Sequence, residues 1–461
     1  MFFILTALTC SISLISFGEE LEEALPEELE EALPENSPDE IVEQNPPVAA
    51  QREGDSLTNI VLITADDLGV GDVGCYFGKE IVTPRLDALA SEGIRFTDFS
   101  TPMAEDAASQ RAIVTGTRFS QKITSSGLGI TLKSHGYKTA FMGQWLIGSI
   151  GETPQDGAIS PTKCGFDSFY GVVRPADQWS FNPVAGEVYE PLKFYNNQQV
   201  IGYNVNPISL SALLGARAAQ YVTENKSEPF FLYVSFPAPH VPLADNSAHA
   251  YKNVVEALDG AIGKIIDAIE LNHLTDKTLI VFLSDNGPNK ARAAQSDSAG
   301  PFREGKFTCF EGGVRTICII RQKGKIAPAE CSSFASQLDL FPTIAEWTNV
   351  PVDKRVKTEG KSLVDILNGK TDKQIYKSFA YYSPEGKIIA VRAADWKLYC
   401  PQTYKSVDMS DAVSSSDDLR PFVFKSMNWE LYNVKEDPAE SRLRNADKPE
   451  IINAIRKAIK Q

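Results

Sequence analysis

The chain has 461 residues, 43% of them hydrophobic and 10% aromatic, which suffices for one large buried core and a smaller second one and excludes a fibrous or broadly disordered protein. Its net charge of −15 is concentrated: residues 19–43 hold twelve acidic side chains and no basic one, and setting those twelve aside leaves −3. A nearly neutral body without a basic stripe interleaved with aromatics excludes nucleic acid as a partner.

In chain order, residues 1–18 (MFFILTALTCSISLISFG) are apolar over a signal-peptide length and run straight into Glu19 and Glu20. They are expected to be a cleavable signal peptide of a secreted or periplasmic protein, although a basic n-region is missing. A lipid anchor at Cys10 is the weaker alternative, because Thr9 suits lipoprotein processing poorly. Residues 19–55 are expected to form an acidic, low-complexity linker. They contain EELEEALP twice in succession, closed by Pro26 and Pro34, and each copy is too short to hold itself helical in water. No later stretch reaches the ~20 apolar residues needed to cross a bilayer.

From Asn59 onward the texture changes. Residues 59–65 (NIVLITA), 138–143 (KTAFMG), 229–236 (PFFLYVSF) and 278–284 (TLIVFLS) are continuous β-branched or aromatic runs, as expected of strands buried on both faces. Residues 84–93 and 254–270 read as helices, the second with apolar side chains at three- and four-residue spacing. The alternation predicts an α/β fold, a large mixed and mostly parallel sheet between helix layers, over residues 56–373. Shorter segments and a closing helix from Pro449 predict a C-terminal α+β subdomain over residues 374–461. Of seven cysteines, six remain if Cys10 leaves with the leader. Their spacing forms no zinc motif, and it leaves disulfides and small buried thiols equally open.

Ligands of open α/β sheets gather at the carboxyl ends of the strands. Two predicted strands end there in polar clusters, Asp66-Asp67 and Asp285-Asn286. Carboxylates and an amide on adjoining loops suit a hard cation, Ca²⁺ first and Mg²⁺ second, far better than zinc. A lone aspartate after a strand is usually a turn former or a cap, but two such clusters together exceed that explanation.

The stretch NIVLITADDLGVGDVGCYFGKEIVTPRLDALASEGIRFTDF resembles the opening of the sulfatases, in the alkaline-phosphatase superfamily. GYKTAFMGQWLIG, GFDSFYG, PAPHVP, LIVFLSDNG, GKFTCFEGGVRT, QLDLFPT, AVRAADWKLY and ELYNVKEDPAES follow in the same order. The resemblance runs from about Asn59 to the C-terminus. It implies an alkaline-phosphatase-like fold, calcium ligation by Asp66, Asp67, Asp285 and Asn286, contact of His240 with the sulfate or leaving group, and binding of sulfate oxygens by Lys306. His135, His249 and His273 match nothing catalytic.

Sulfatases carry a Cys-x-Pro-Ser-Arg segment whose cysteine, or in some members serine, is oxidised to formylglycine. Here the corresponding stretch is STPMAEDAASQRAI, and counting from Phe96 or back from Thr115-Gly116 places Asp106 at the nucleophile position and Gln110 at the arginine position. Aligning on Arg111 instead places Ala107 there. Formylglycine is not expected in either case. The family's Gly-Lys-Trp-His-Leu-Gly has become Gly143-Gln144-Trp145-Leu146-Ile147-Gly148, so a lysine and a histidine facing the sulfate are also gone. Asp66, Asp67, Asp285 and Asp106 would face one divalent ion and Lys306. An entering sulfate would then meet like charge, at a few kcal/mol per uncompensated pair at ~4 Å and intermediate dielectric.

Two functions compete. In the first, the protein is a sulfatase-family member, a sulfuric ester hydrolase by resemblance, whose cation site is retained while sulfate-ester hydrolysis is weak or lost and sulfated glycan is bound. In the second, it is an active metal-dependent sulfo- or phosphoester hydrolase with Asp106, or a hydroxyl from Ser100, Thr101 or Ser109, as nucleophile. The partner is a sulfated carbohydrate or another small ester. Neither the oligomeric state nor the specificity residues of loop 175–206 can be read from the sequence.

Overall fold

The computed structural model describes residues 57–119, 126–147, 160–173, 191–240, 243, 249–291, 298–408 and 420–459. The expected signal peptide, Cys10, the acidic linker, Gly148 and residues 175–190 of the specificity loop lie outside the described residues.

Among the described residues the main sheet has eleven strands: β1 (Asn59–Asp66), β2 (Ile94–Ser100), β3 (Lys138–Gln144), β4 (Ser168–Val172), β5 (Lys193–Asn196), β6 (Gln199–Tyr203), β7 (Phe230–Pro239), β8 (Thr278–Ser284), β9 (Arg315–Arg321), β10 (Ala329–Cys331) and β11 (Ala335–Ser336). Their order is β10-β2-β9-β8-β1-β7-β3-β4-β5-β6, with β11 also on β2. The centre, β8-β1-β7-β3-β4, is parallel throughout, whereas β9 runs antiparallel to both β8 and β2. This is the mixed, mostly parallel sheet that the sequence predicts. Side chains alternate across its plane as strand geometry demands: Val61 and Ile63 enter one core with Leu232 and Val234, and Ile60 and Leu62 enter the other with Phe231 and Tyr233.

Helices close both faces. On one side lie α1 (Pro84–Ser91), α4 (Pro207–Glu224) and α5 (Ala250–Leu271), contributing Leu86, Leu214 and Ile262. On the other lie α2 (Asp106–Thr115), α3 (Leu128–Lys133) and α7 (Leu340–Trp347), contributing Ile113, Leu132 and Ile344. A one-turn helix, α6 (Glu311–Val314), leads into β9. The expected boundaries move by a few residues: the run starting at residue 229 extends as β7 to Pro239, the helix expected over 254–270 spans 250–271, and the one expected over 84–93 ends at Ser91.

The C-terminal part carries an antiparallel sheet in the order β12 (Ser378–Tyr382), β13 (Ile388–Ala393), β14 (Trp396–Tyr399), β17 (Glu430–Asn433). A separate hairpin joins β15 (Gln402–Val407) to β16 (Phe422–Met427), and α8 (Pro449–Ile459) covers the outer face of the sheet. Its inner face shares a core with the main body: Tyr381, Tyr399 and Tyr432 pack with Ala112, Phe310 and Leu338. Cys75, Cys164, Cys309, Cys318, Cys331 and Cys400 are all free thiols.

Candidate active and metal site

The parallel centre of the sheet delivers its strand ends to one place. β1 ends at Asp66, and Asp67 follows in the left-handed region at φ 65°, a conformation that costs a non-glycine residue energy and is typically held in place by surrounding contacts. Its N–H donates to Asp285 Oδ1 at 3.0 Å, the residue that directly follows β8. β3 ends at Gln144, and Gly143 before it has φ 104° and backs so closely on β7 that an added Cβ would stand 1.9 Å from the Ser235 carbonyl oxygen. β7 hands over to His240. Asp106 opens α2, where a carboxylate is favoured by the positive end of the helix dipole. Lys306 comes from the loop before α6. That loop is strained, with Glu304 at φ 59° and Phe307 at φ 71°, and its Lys306 N–H is tied to the Pro288 carbonyl at 3.0 Å.

All seven candidate residues converge. Lys306 Nζ lies 2.5 Å from Asp106 Oδ1, 2.7 Å from Asp67 Oδ1 and 3.9 Å from Asp66 Oδ1. His240 Nε2 stands 3.5 Å from Asp67 Oδ2, and Asn286 Nδ2 donates to Asp67 Oδ1 at 2.6 Å. Asp66, Asp67, Asp106 and Asp285 each bring a carboxylate oxygen within 4.8 Å of the others, and Asp66, Asp67 and His240 do likewise.

The electrostatics are lopsided. Burial, followed by the neighbouring Asp106, pushes the Asp66 carboxyl well above the usual carboxylate range, and burial with the charge of Asp66 does the same to Asp285. Burial also works to raise Asp106, but the Lys306 ammonium, followed by His240, outweighs it and holds this carboxyl below its ordinary value. Lys306 itself is held well above the usual ammonium range, because the four carboxylates, Asp106 first, overcome its burial. One ammonium does not neutralise four clustered carboxylates, three of them buried. Asp66 Oδ1, Asp67 Oδ2 and Asn286 Oδ1 are moreover buried without a hydrogen bond. Unsatisfied, closely spaced, hard oxygens of this kind fit a divalent cation.

The sulfatase family model matches residues 58–350. Human arylsulfatase A is 31% identical over 431 residues, covering 83% of this chain and 82% of its own. The chain belongs to the sulfatase family. N-acetylgalactosamine-6-O-sulfatase of Bacteroides thetaiotaomicron is 25% identical, covering 86% of this chain and 91% of its own. A solved Bacteroides thetaiotaomicron sulfatase, described in the context of metabolism of multiple glycosaminoglycans, superposes with a TM-score of 0.73 at 22% identity, over 88% of this chain and 99% of the other.

Within this sulfatase fold the altered motif takes a definite shape. Of the two residues that the alternative alignments place at the reactive position, Asp106 brings its carboxylate to Lys306. Gln110 lies in the same cluster: its Nε2 donates to the Gln144 carbonyl at 2.8 Å and to Ser235 Oγ at 3.3 Å, and its Oε1 accepts from Leu146 N–H at 2.7 Å. Gln144 Nε2 donates to Asp66 Oδ2 at 2.7 Å. Two neutral amides thus brace α2, β3 and β7 around the carboxylates, a pairing of residues far apart in sequence that no local pattern announces. The three hydroxyls considered as nucleophiles are buried and engaged elsewhere. Ser109 Oγ donates to the Asp285 carbonyl at 2.7 Å, Thr101 Oγ1 to the Met103 carbonyl at 2.7 Å, and Ser100 Oγ pairs with Tyr381 Oη at 3.1 Å and with the Thr101 carbonyl at 3.0 Å. Gln337, unsuspected from the sequence, props the same loop by donating to the Asp285 carbonyl at 2.6 Å.

Beside the cluster opens a cleft of about 390 Å³ between the main body and the C-terminal sheet. Glu105 and Phe307, the neighbours of Asp106 and Lys306, line it together with Lys387, Tyr404, Lys405 and Phe424. Among the described residues no helix is long and apolar enough to cross a membrane.

Proposed function

We propose that this protein is an exported sulfatase-family member that holds Ca²⁺, or failing that Mg²⁺, on Asp66, Asp67, Asp285 and Asn286, binds sulfated carbohydrate, and hydrolyses sulfate esters weakly or not at all. Bound there, the cation would supply the positive charge that the buried carboxylates lack. The observation that carries the proposal is Asp106: a carboxylate, which cannot be oxidised to an aldehyde, stands 2.5 Å from Lys306, and the resemblance aligns this residue with the family's reactive one. Loss of a covalent nucleophile removes several orders of magnitude in rate. A saccharide has a place to lie in the adjoining cleft, where the aromatic rings of Phe307, Tyr404 and Phe424 and the ammonium groups of Lys387 and Lys405 suit a sulfated sugar. The relative named N-acetylgalactosamine-6-O-sulfatase supports the same substrate class.

One observation favours the alternative of an active ester hydrolase: Lys306 keeps Asp106 ionised, as a carboxylate nucleophile would require. Assays of purified protein with Ca²⁺ on aryl sulfate, aryl phosphate and a phosphodiester separate the two. No turnover together with binding of a sulfated polysaccharide is expected. Turnover abolished by Asp106→Ala would establish the hydrolase instead.

A further inference from the structure

The surroundings of Asp106 suit a task other than that of a nucleophile. Its carboxylate is one of four whose oxygens lie within 4.8 Å of one another, and its Oδ1 is buried with Lys306 Nζ 2.5 Å away and no hydrogen bond besides. Lys306 links it to Asp67 and Asp66, at 2.7 and 3.9 Å. On the opposite side of Asp66, Asp106 and Asp285, where Gln110, Gln144 and Ser235 face the cluster, the free space amounts to about 10 Å³. That is about the room of one water-sized sphere and no more. A tetrahedral oxyanion of five heavy atoms does not fit in that space, and the groups that would attract it there are amides already bonded to Asp66 and to the backbone.

We infer that Asp106 is a built-in anion: it serves as an additional carboxylate ligand of the cation and as the partner of Lys306, occupying the position of a substrate oxyanion, so that cation binding is uncoupled from oxyanion binding. This rests on the proposal that the cluster holds a divalent cation, and it adds that the cation is a fixture of the fold with no oxyanion in its shell. Two further oxygens point to a ligand independently of Asp106. Asp66 Oδ1 and Asn286 Oδ1 belong to side chains that are 4% and 0% exposed, and neither has a hydrogen bond. Affinity of an oxygen-ligand site follows the number of its charged ligands. Asp106 therefore strengthens cation binding, whereas Lys306, an ammonium competing for the same oxygens, weakens it.

The test is calorimetric titration of the full chain, freed of metal by chelation, with Ca²⁺ in the presence and absence of inorganic sulfate. Unmodified protein is expected to bind one Ca²⁺ with an affinity that sulfate does not change. Asp106→Asn is expected to bind Ca²⁺ at least about tenfold more weakly, and Lys306→Met more tightly. Asp106→Ala, with the carboxylate gone, is expected to bind Ca²⁺ weakly but to gain affinity when sulfate is added. Circular dichroism of each variant in chelator confirms that it is folded. If Asp106→Asn does not fold, the opposite shift in Lys306→Met and the insensitivity of the unmodified protein to sulfate still decide the matter. Ca²⁺ binding that is unchanged in Asp106→Asn, or that sulfate tightens in the unmodified protein, overturns the inference and leaves the cation site standing. Absence of Ca²⁺ binding overturns both.

Discussion

Around the carboxylates, single neutral side chains do the bracing. Gln110 makes three hydrogen bonds from a buried position, and Gln110→Ala would strand the Leu146 N–H and the Gln144 carbonyl. A destabilisation of about 1–3 kcal/mol is expected from denaturant unfolding, the usual cost of buried polar groups left unpaired. A second residue-scale prediction concerns Asp339, which accepts from Ser336 N–H and Lys361 N–H, each at 2.7 Å, and from the Tyr376 hydroxyl. Burial nevertheless pushes its carboxyl up to about 7. An acid raised in the folded state keeps its proton there while the unfolded chain releases it. Stability attributable to Asp339 should therefore fall as pH rises from about 4 to about 7 and stay flat above. The slope of the unfolding free energy across that range is expected to become more positive by up to about 1.4 kcal/mol per pH unit in Asp339→Asn. An unaltered slope would show that Asp339 does not hold its proton. The sequence makes the carboxylates of the candidate site legible where a strand runs into acid, as at Asp66 and Asp285. It conceals Gln337, Gln110 and the strained φ of Asp67, because those depend on loops from distant segments meeting.

Elements were legible in proportion to their burial. β1, β3, β7 and β8 are apolar on both faces and announce themselves as unbroken runs, and α5 does so by its periodicity. β2 (IRFTDFS) carries no such signature: Arg95 and Thr97 interrupt its apolar run at half-buried positions, and Asp98 is paired with the buried Arg392. α6 shows what joins the elements near the site. Glu311 at its start takes Lys397 of β14 at 2.7 Å and Arg315 of β9 at 2.5 Å, while its N–H donates to Glu440 Oε2 at 2.8 Å. This is a buried polar spine in which Lys397 is fully enclosed. Lys397→Met would leave Glu440, and part of Glu311, without a cation. Breaking such a buried pair from one side costs about 3–5 kcal/mol, and guanidinium unfolding should register a loss of that order. A loss below about 1 kcal/mol would mean that Arg315 alone satisfies Glu311.

For the molecule as a whole, the strand-helix alternation predicts an α/β body with a small α+β unit attached, but the way the two share the site is not legible in the sequence. The C-terminal part pins the loop that carries Lys306. Arg303 donates to the Tyr432 hydroxyl at 3.1 Å and to the Glu440 carbonyl at 3.2 Å, and Glu304 accepts from Ser406 at 3.0 and 2.8 Å and pairs with Lys425 at 3.4 Å. Phe310 packs into the shared core against Tyr399 and Tyr404. Strain at Glu304 and Phe307 persists only while these contacts over-determine it. A chain ending at residue 373 would therefore lose more than the cleft: its Lys306 loop would relax, and the apolar side chains of Ala112, Phe310, Val314 and Leu338 would be uncovered. Ligand binding stabilises a fold by mass action, about 2.7 kcal/mol at a hundredfold excess over Kd. Ca²⁺ should accordingly raise the melting temperature of the intact protein. The truncated chain should aggregate or melt without a Ca²⁺ response, since the loop facing Asp67 and Asp106 is no longer held. A truncated chain that stayed soluble and responded to Ca²⁺ like the intact one would show that the main sheet assembles the site alone.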